Sequence, residues 1–380
     1  MIKQYFFILY CFIQINFIKF ILNKTNSPKE LKLEMTSTCD EPLHKHYPLI
    51  TMGYITPWKK YGYKIIEKYY NKFNIISPTW FELKPEYINN EFQMSIDGGD
   101  TVDIDYLNLI KSYNNKLKIV PRFHCSNIQF NDLINWFSEK NTEKFLKILN
   151  RRLKYNNFDG ITLDCIILWN NEKIYEYFIN FLKKISEDLH NNNKIIIISL
   201  FPYTEGVQMN NIVNKKKFIE LSKYIDYFNI MTYDYISYHN RKNKNDKDDY
   251  YQAPFTWIKD SIEFYVDLND NENKEKLLKK ILLGLPFHGY VFNKNKREES
   301  GVLDSNKFND ILDKKGINIK WDTIENEYKI NLKNNEDEIV AVYPTREFLK
   351  KRLDYSIEQK LGGVAIWDVG NGNEGFLNEF

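Results

Sequence analysis

A chain of 380 residues is long enough to bury a large core, either as one barrel or as two ordinary domains. With 43% hydrophobic and 27% charged residues, its composition is that of a globular protein, which excludes a disordered chain. The 53 basic and 51 acidic residues leave a formal charge of +2, so net charge gives no reason to expect a nucleic acid as a partner.

Residues 1–24 are predicted to be a secretory signal peptide or an N-terminal membrane anchor. Lys3 precedes an apolar run, Tyr5–Leu22, which is about as long as the ~20 residues that cross a bilayer. Three polar residues interrupt the run and no later apolar span follows, which favours a signal peptide. We therefore expect a protein of the secretory pathway, secreted or in the endomembrane lumen, with no other membrane contact.

Residues 25–48 are predicted to be a lead-in linker, because Thr25–Glu41 is rich in Lys, Glu, Ser and Thr and is typical of a mobile segment. If the signal is removed, Cys39, Cys125 and Cys165 remain, and an odd number means at least one free thiol or an intermolecular bridge. No cysteine has the paired spacing of a zinc site and no His pair supplies one, so no metal is expected.

Residues 49–380 alternate short β-rich runs with longer helical patterns. Several of the runs are continuously apolar, as in parallel strands that are covered on both faces. Asn171–His190 has the apolar spacing of an amphipathic helix. The eight β-rich runs begin at Leu49, Asn74, Leu117, Phe158, Lys194, Tyr227, Lys280 and Gly362. The pattern predicts an α/β fold, a (β/α)8 TIM barrel; a doubly wound open sheet is the alternative, but the chain lacks its Gly-rich phosphate turn.

Two segments depart from a plain barrel. Arg241–Gln252 is a polar insertion after the sixth strand and is predicted to be a mobile surface loop. Ile317–Thr345 consists of short β-rich stretches separated by polar turns. It predicts a small α+β insertion between strands 7 and 8, at about residues 288–345, which covers one side of the barrel mouth.

The fourth strand carries the candidate chemistry. Because side chains alternate on a strand, Thr162, Asp164 and Ile166 share one face, which we place inside the barrel and rising toward the C-terminal mouth. A carboxylate at Asp164 is either functional or a structural Asp that is hydrogen-bonded across the barrel. The strand by itself leaves both interpretations open.

The segment FDGITLDCI (residues 158–166) resembles the fourth-strand signature of glycoside hydrolase family 18, the chitinases and chitinase-like lectins, whose pattern is Asp-Gly-x-Asp-x-Asp-x-Glu. NIMTYDY (229–235), LLGLPFHGY (282–290) and GGVAIWDVG (362–370) resemble the family's sixth, seventh and eighth strands in the correct order. GYITPWKKYGY (53–63) and ISPTWFELK (76–84) are similar, more narrowly, to the chitinase domain-containing protein 1 branch.

The resemblance implies a reaction whose proton donor is missing here. Asp159 and Asp164 match the first and third family carboxylates, but the second is Thr162 and the catalytic Glu is Ile166. In this family the substrate's N-acetyl group is the nucleophile and the Glu protonates the leaving oxygen. General acid catalysis contributes roughly 10²–10⁴-fold, so we expect no efficient hydrolysis. Glu82, Asp234 and Asp368 are the acids near predicted strand ends that could substitute for it.

The resemblance also implies a sugar-binding surface. Trp367 matches the Trp under the central sugar, and Tyr233 and Asp234 match the residues that hydrogen-bond the N-acetyl group, with Met231 packed below. Arg122 is expected to bind substrate or to pair with Asp164. Three further tryptophans are candidates for the mouth, either as extra subsites or, for the first two, as core residues: Trp58, Trp80 and Trp169.

Together these features predict a lectin-like protein that binds chitooligosaccharides or related glycans without cleaving them efficiently. A weak or altered family 18 glycosidase is the enzymatic alternative, and a protein-binding scaffold is the third. The resemblance implies no metal and no organic cofactor, and the expected partner is an oligosaccharide or glycoconjugate, not a nucleic acid. The sequence leaves the oligomeric state open.

Overall fold

The computed structural model describes residues 27–165, 172–204, 213–239, 250–270, 272–296, 300–333 and 338–380. The predicted signal or anchor, the positions Ile166 and Trp169, and most of the polar insertion after the sixth strand lie outside the described residues. Within the described ranges, no helix has the length and apolar character needed to cross a membrane.

The helices lie mostly between the barrel strands. They are α1 (Pro28–Thr36), α2 (Lys60–Lys68), α3 (Ile104–Tyr113), α4 (Phe130–Phe137), α5 (Glu139–Tyr155), α6 (Glu172–Asn191), α7 (Lys215–Leu221), α8 (Tyr235–His239), α9 (Phe255–Tyr265), α10 (Lys274–Leu278), α11 (Ser305–Leu312) and α12 (Arg346–Glu358). Short 3-10 helices cover Tyr70–Lys72, Val369–Asn371 and Glu374–Glu379.

The strands form two sheets. They are β1 (Ile50–Ile55), β2 (Ile75–Pro78), β3 (Phe81–Ile88), β4 (Glu91–Gly98), β5 (Lys118–Ile119), β6 (Arg122–Cys125), β7 (Gly160–Asp164), β8 (Ile195–Leu200), β9 (Tyr227–Ile230), β10 (Ile281–Pro286), β11 (Gly289–Asn293), β12 (Gly301–Leu303), β13 (Ile317–Asp322), β14 (Glu327–Lys333), β15 (Glu338–Val342) and β16 (Gly363–Trp367).

The larger sheet closes into a barrel. Its order is β4-β3-β6-β7-β8-β9-β10-β16-β1-β2-β5. Only two residues separate β2 from β3, and only two separate β5 from β6, so each pair is one interrupted strand. The second barrel strand consists of β2 and β3, and the third consists of β5 and β6. These two barrel strands pair in parallel, through β2 with β5 and through β3 with β6, and this pairing closes the ring. The eight predicted strands therefore form the ring of a (β/α)8 barrel, which confirms the predicted fold class.

The barrel interior and the outer layer separate by the alternation of side chains. On β8, Ile196 and Ile198 belong to the large cluster that includes the helices, whereas Ile197 belongs to a smaller cluster inside the ring. That inner cluster also contains Met52 and Tyr54 of β1. A strand that is buried on both faces needs an apolar residue at nearly every position, which is why these runs are continuously hydrophobic.

A hairpin that was not predicted extends from the second strand. β3 pairs with β4 in antiparallel register over eight residues each, and their turn has positive φ at Asn89 (51°) and Asn90 (62°). Two consecutive residues with positive φ are the pattern of a type I′ hairpin turn, and asparagine tolerates that conformation. The Asn-Asn pair was the sequence signal for this hairpin.

A five-stranded antiparallel sheet lies between the seventh and eighth barrel strands, in the order β12-β11-β15-β14-β13. It begins at Gly289, directly after β10, and ends at Val342, and α11 connects β12 to β13. Its strand β14 starts with Glu327, which is 3% exposed and reaches the chain that returns from the polar insertion.

The prediction of a mobile lead-in is wrong for residues 28–36. These residues form α1, whose first turn has a capping box between Ser27 and Glu30. Leu31 and Met35, four residues apart on one helix face, are buried, and the helix packs against α11 and the C-terminal 3-10 helix. The segment is mostly polar, and the apolar face of its helix consists of only these two residues, so its periodicity was not recognised in the sequence.

Candidate functional site at the barrel mouth

The C-terminal ends of the barrel strands bring polar and aromatic side chains together. Arg122 lies at the start of β6, Asp164 ends β7 and Trp367 ends β16. Asp234 follows β9, and His288 follows β10. In barrels of this kind the C-terminal ends of the strands form one mouth, so residues far apart in the sequence meet there.

Arg122 and Asp164 form an ion pair in this mouth. Arg122 donates from Nε to Asp164 Oδ2 at 2.7 Å and donates to the same oxygen from Nη2. The Arg122 and Asp164 side chains are only 19% and 14% exposed. Burial by itself would raise the pKa of Asp164, but the Arg122 charge and the contacts with Arg122 and His124 outweigh it and hold that pKa below its usual 3.8. Asp164 is therefore an ion, not a proton donor.

His124 was not predicted as a site residue. Its Nδ1 lies 3.2 Å from Arg122 Nη2 and 3.7 Å from Asp164 Oδ2. In the strand register, Glu82, His124 and Asp164 are neighbours on one face across three adjacent strands. The signal in the sequence was its position two residues after Arg122, since such residues share a face.

Glu82, one of the possible substitute acids, is paired with a lysine. Its Oε2 lies 2.8 Å from Lys84 Nζ, which also lies 2.9 Å from Asp97 Oδ2 on β4. The Glu82 side chain is 45% exposed. Among the three neighbouring residues Glu82, His124 and Asp164, Glu82 is therefore at the solvated end and Asp164 at the buried end.

A disulfide joins Cys125 to Cys165, directly after His124 and Asp164 on neighbouring strands. It resolves the cysteine pairing that the sequence left open, and it leaves Cys39 as a buried free thiol. The bridge links the ends of β6 and β7 immediately before position 166, so it holds together the two strand ends that carry the ion pair.

Trp367 lies on top of the inner barrel cluster. Its ring makes an edge-on contact with Tyr54, at a centroid distance of 5.3 Å, and the Arg122 guanidinium carbon lies 5.4 Å from the ring centroid. Below, the Tyr54 hydroxyl accepts a hydrogen bond from Asn229 Nδ2 at 3.0 Å. Burial, with a smaller contribution from the Asp164 charge, raises the pKa of Tyr54 to about 12. Tyr54 is therefore an uncharged aromatic side chain in contact with Trp367.

A second polar cluster surrounds Asp234 and contains two residues that were not predicted. Asp234 Oδ1 lies 2.7 Å from His288 Nε2 and accepts from Gln252 Nε2 at 3.3 Å. Gln252 Oε1 in turn accepts from the Asp234 backbone N–H. His288 Nδ1 lies 3.3 Å from the Trp367 carbonyl oxygen, which links this cluster to the tryptophan. The sequence signal for His288 was its place in LLGLPFHGY, where the family pattern has Tyr.

The predicted polar surface loop was expected to extend to Gln252, but Gln252 itself is buried. It is 1% exposed, and its backbone N–H donates to Glu327 Oε2 at 2.9 Å. Ala253 N–H donates to the other Glu327 oxygen, and Arg352 lies 3.5 Å from the carboxylate. The small sheet therefore holds the returning chain in place through a buried carboxylate.

Tyr233 and Met231 lie beside the second cluster. Tyr233 is 6% exposed, and its ring centroid is 6.2 Å from that of His288. Met231 is half-buried against the large core cluster. Asp234 has a positive φ of 62°, a conformation that Asp adopts more readily than most residues, and its side chain is 27% exposed.

Two residues of the fourth-strand pattern do not reach the mouth as ligand-binding groups. Asp159 lies before β7, where it accepts from Lys111 Nζ and from the Ile119 backbone N–H, both at 2.7 Å. Thr162 is fully buried, and its hydroxyl accepts from Ser77 Oγ at 3.2 Å. Both are structural in this conformation.

Two tryptophans behave differently. Trp58, after β1, is 65% exposed. Trp80 is 5% exposed and donates from Nε1 to the Tyr63 hydroxyl at 2.8 Å, so its interpretation as an extra subsite is wrong and it is a core residue.

Asp368, one of the possible substitute acids, is buried, and that burial raises its pKa. Its Oδ2 accepts from Asn371 Nδ2.

The chain is similar to known chitinases in sequence and in fold. Probable chitinase 2 of Drosophila melanogaster is 23% identical over 260 residues, which are 60% of this chain and about half of the relative. A chitinase of Chromobacterium violaceum superposes with a TM-score of 0.68 at 16% identity, covering 87% of this chain and 97% of that chain. A family 18 chitinase variant of Cycas revoluta, solved with (GlcNAc)4, gives 0.67 at 15% identity, covering 87% and 98%.

The structural likenesses are below 25% identity and show the fold alone. The family assignment rests on sequence: residues 50–372 match the profile of glycosyl hydrolases family 18, and this range includes the whole barrel. With most of its length matched, the chain belongs to glycosyl hydrolases family 18.

Proposed function

We propose that this protein is a lectin-like member of the family, which binds chitooligosaccharides or related glycans at the barrel mouth and does not cleave them efficiently. The observation that carries the proposal is the Arg122–Asp164 ion pair beside Trp367. Of the two carboxylates that remain from the fourth-strand pattern, Asp159 lies before β7 and Asp164 is held as an anion in the mouth. The residue two positions after Asp164 is Ile166, where the family has its Glu. This strand end offers charge and an aromatic neighbour, but no acid.

The possible substitute acids are engaged in other contacts. Glu82 is paired with Lys84, and Asp368 is buried at 2% exposure. Asp234 is held by His288 and Gln252. A general acid must reach the leaving oxygen, and in the described conformation Glu82 and Asp234 are paired with basic side chains while Asp368 is buried.

The same mouth retains features that suit a sugar. Trp367 is half-buried, and the flat C–H face of a sugar ring packs on such an aromatic surface. Arg122 lies over its ring and contacts His124, and Asp234 contacts His288, whose Nδ1 lies near the Trp367 carbonyl oxygen. The (GlcNAc)4 bound to the Cycas revoluta relative supports the choice of chitooligosaccharides as the ligand class. Trp58, exposed after β1, is the candidate for an outer subsite.

Titration calorimetry with (GlcNAc)4 and a fluorogenic chitooligosaccharide assay, both on the purified full chain, test the proposal. We expect binding without turnover. Trp367→Ala should weaken binding about tenfold or more, since truncating an aromatic anchor commonly costs more than about 1.4 kcal/mol. Tyr155→Ala is the matched control, because Tyr155 is 82% exposed at the end of α5, near the opposite end of the barrel.

A weak glycosidase is the second candidate, because Asp234 is 27% exposed in the mouth and is paired with His288. In that case, slow hydrolysis would be present and Asp234→Asn would abolish it. Turnover that depends on Asp234 or Asp164 would contradict the lectin proposal. A failure to bind any glycan would contradict both proposals and would favour a protein-binding scaffold.

We also propose that the protein enters the secretory pathway. The support is the apolar run Tyr5–Leu22 together with the Cys125–Cys165 disulfide, since such bridges persist in oxidising compartments. N-terminal sequencing of the protein isolated from its cells tests this, and an intact Met1 on protein from the cytosol would contradict it. Membership of the chitinase domain-containing protein 1 branch stays a prediction from residues 53–63 and 76–84.

A further inference from the structure

A turn before the first barrel strand brings three metal-binding side chains together. The His44 backbone N–H donates to the Glu41 carbonyl at 3.3 Å, which closes a four-residue turn with Pro42 at its second position. Proline favours that position because its φ is already set. Residues 44–48 belong to no helix or strand, and the imidazole rings of His44 and His46 make an edge-on contact, so these two side chains lie on the same side.

The donor atoms of Glu41, His44 and His46 lie within 4.8 Å of one another. His46 Nε2 is 2.7 Å from Glu41 Oε2, and the two imidazole rings have a centroid distance of 4.4 Å. Ligand atoms at about 2.0–2.2 Å from a tetrahedral ion are roughly 3.3–3.6 Å apart. The three side chains are exposed, so small rotamer changes are sufficient to bring their donor atoms around one ion.

Hydrogen bonds fix the backbone of this cluster at His46 and Tyr47. The His46 and Tyr47 N–H groups donate to the Phe380 oxygen at 2.7 and 3.0 Å, and Tyr47 is 3% exposed. The Lys45 side chain, between the two histidines, donates to the Leu49 carbonyl at 2.6 Å. Its ammonium group is therefore engaged with the backbone, and the ligands are presented from a segment that hydrogen bonds hold in place.

We propose that Glu41, His44 and His46 form a binding site for one divalent late transition-metal ion of the zinc type. Two imidazole nitrogens and one carboxylate oxygen suit zinc, and suit Mg²⁺ or Ca²⁺ poorly because those ions prefer oxygen ligands. Three protein ligands on an exposed surface leave a fourth position for water or an external donor. This proposal departs from the expectation, drawn from spacing, that no His pair supplies a metal site.

Titration calorimetry of the full chain with zinc chloride, after removal of any affinity tag, tests the site. We expect one zinc ion per chain. His44→Ala and His46→Ala should each weaken its binding at least tenfold, and a large excess of Mg²⁺ should not compete. Glu41→Gln keeps a hydrogen-bonding oxygen but removes the charge. A tenfold loss of zinc affinity in that variant would show that the charged carboxylate takes part in metal binding.

His190→Ala is the matched control. His190 Nε2 lies 3.0 Å from Asp226 Oδ2, and in the described ranges no third metal-binding side chain joins this pair. Its removal should leave zinc binding unchanged. Zinc should also raise the melting temperature of the wild type and of His190→Ala, but not that of a His44→Ala/His46→Ala double variant that folds normally. Equal zinc binding by wild type and double variant, or no zinc binding, would overturn the proposal.

Discussion

Replacing Arg122 with methionine tests the ion pair on which the proposed function rests. The substitution keeps a similar volume beside Trp367 and leaves Asp164 as a buried carboxylate without its main counter-charge. Breaking a fully buried pair costs about 3–5 kcal/mol. Because the two side chains are 19% and 14% exposed and His124 lies 3.7 Å from the carboxylate, we expect a smaller loss of unfolding free energy, about 2–3 kcal/mol.

The double variant Arg122→Met/Asp164→Leu provides the decisive comparison. When both partners become apolar, no charge is left uncompensated, and such replacements are often close to neutral. We therefore expect the double variant to be at least as stable as Arg122→Met alone, with a coupling energy of about 2 kcal/mol. Lys184→Met, which breaks the exposed pair with Glu139, should not change the unfolding free energy beyond experimental error.

The pair also has a predictable pH dependence. The pKa of Asp164 is lower in the folded protein than its usual 3.8, so its stabilising contribution is complete above that value and is lost as pH falls through the folded-state pKa. Asp164→Asn should remove this part of the acid dependence. Urea unfolding followed by circular dichroism, at a series of pH values below 6, measures both effects.

Two results would refute this reasoning. The first is an Arg122→Met variant whose unfolding free energy is within about 0.5 kcal/mol of the wild type, which is the range of an ordinary surface substitution. The second is a double variant whose loss equals the sum of the two single losses. Either result would mean that Asp164 is stabilised by water or by other groups, and that the mouth is more open and solvated than the structure shows.

Three further predictions concern stability, measured by urea unfolding. Replacing Cys125 and Cys165 by serine should cost about 4 kcal/mol, because the bridge closes a loop with a sequence separation of 40; equal stability of the wild type with and without reductant would contradict this. Leu31→Ala should cost about 2–4 kcal/mol and the exposed Leu33→Ala nearly nothing; equal effects would show that α1 is not packed. Glu327→Ala should cost about 3 kcal/mol or more, since it leaves a buried arginine and two buried N–H groups uncompensated; a neutral result would place water there.

Most of the barrel was predictable because its strands are local patterns. Continuous apolar stretches such as Ile195–Ile198 require burial on both faces, and eight β-rich runs alternating with helices allow few architectures. The lead-in helix was missed because two buried residues, Leu31 and Met35, are too few to give a visible periodicity. The β3–β4 hairpin was missed although Asn89 and Asn90 signal its turn.

Part of the candidate site was also predictable. Asp164, Asp234 and Trp367 occupy positions that a motif identifies from neighbouring residues alone. His124 and Gln252 lie in no family motif, and His288 stands where the family pattern has Tyr, so the roles of these three residues became visible only from the groups that they contact. Trp80 shows the converse case: an aromatic residue near a strand end was a plausible subsite until its indole N–H was found bonded to Tyr63.

The sequence by itself determined the fold class, the family resemblance and the absence of a glutamate at position 166, because each is a property of local residue order. Only the tertiary structure decided that Arg122 neutralises Asp164 from 42 residues away, that Cys125 bridges to Cys165, and that the backbone N–H groups of His46 and Tyr47 donate to the Phe380 oxygen. These contacts depend on strand register and barrel closure, which sum many weak interactions over the whole chain and are written in no single segment.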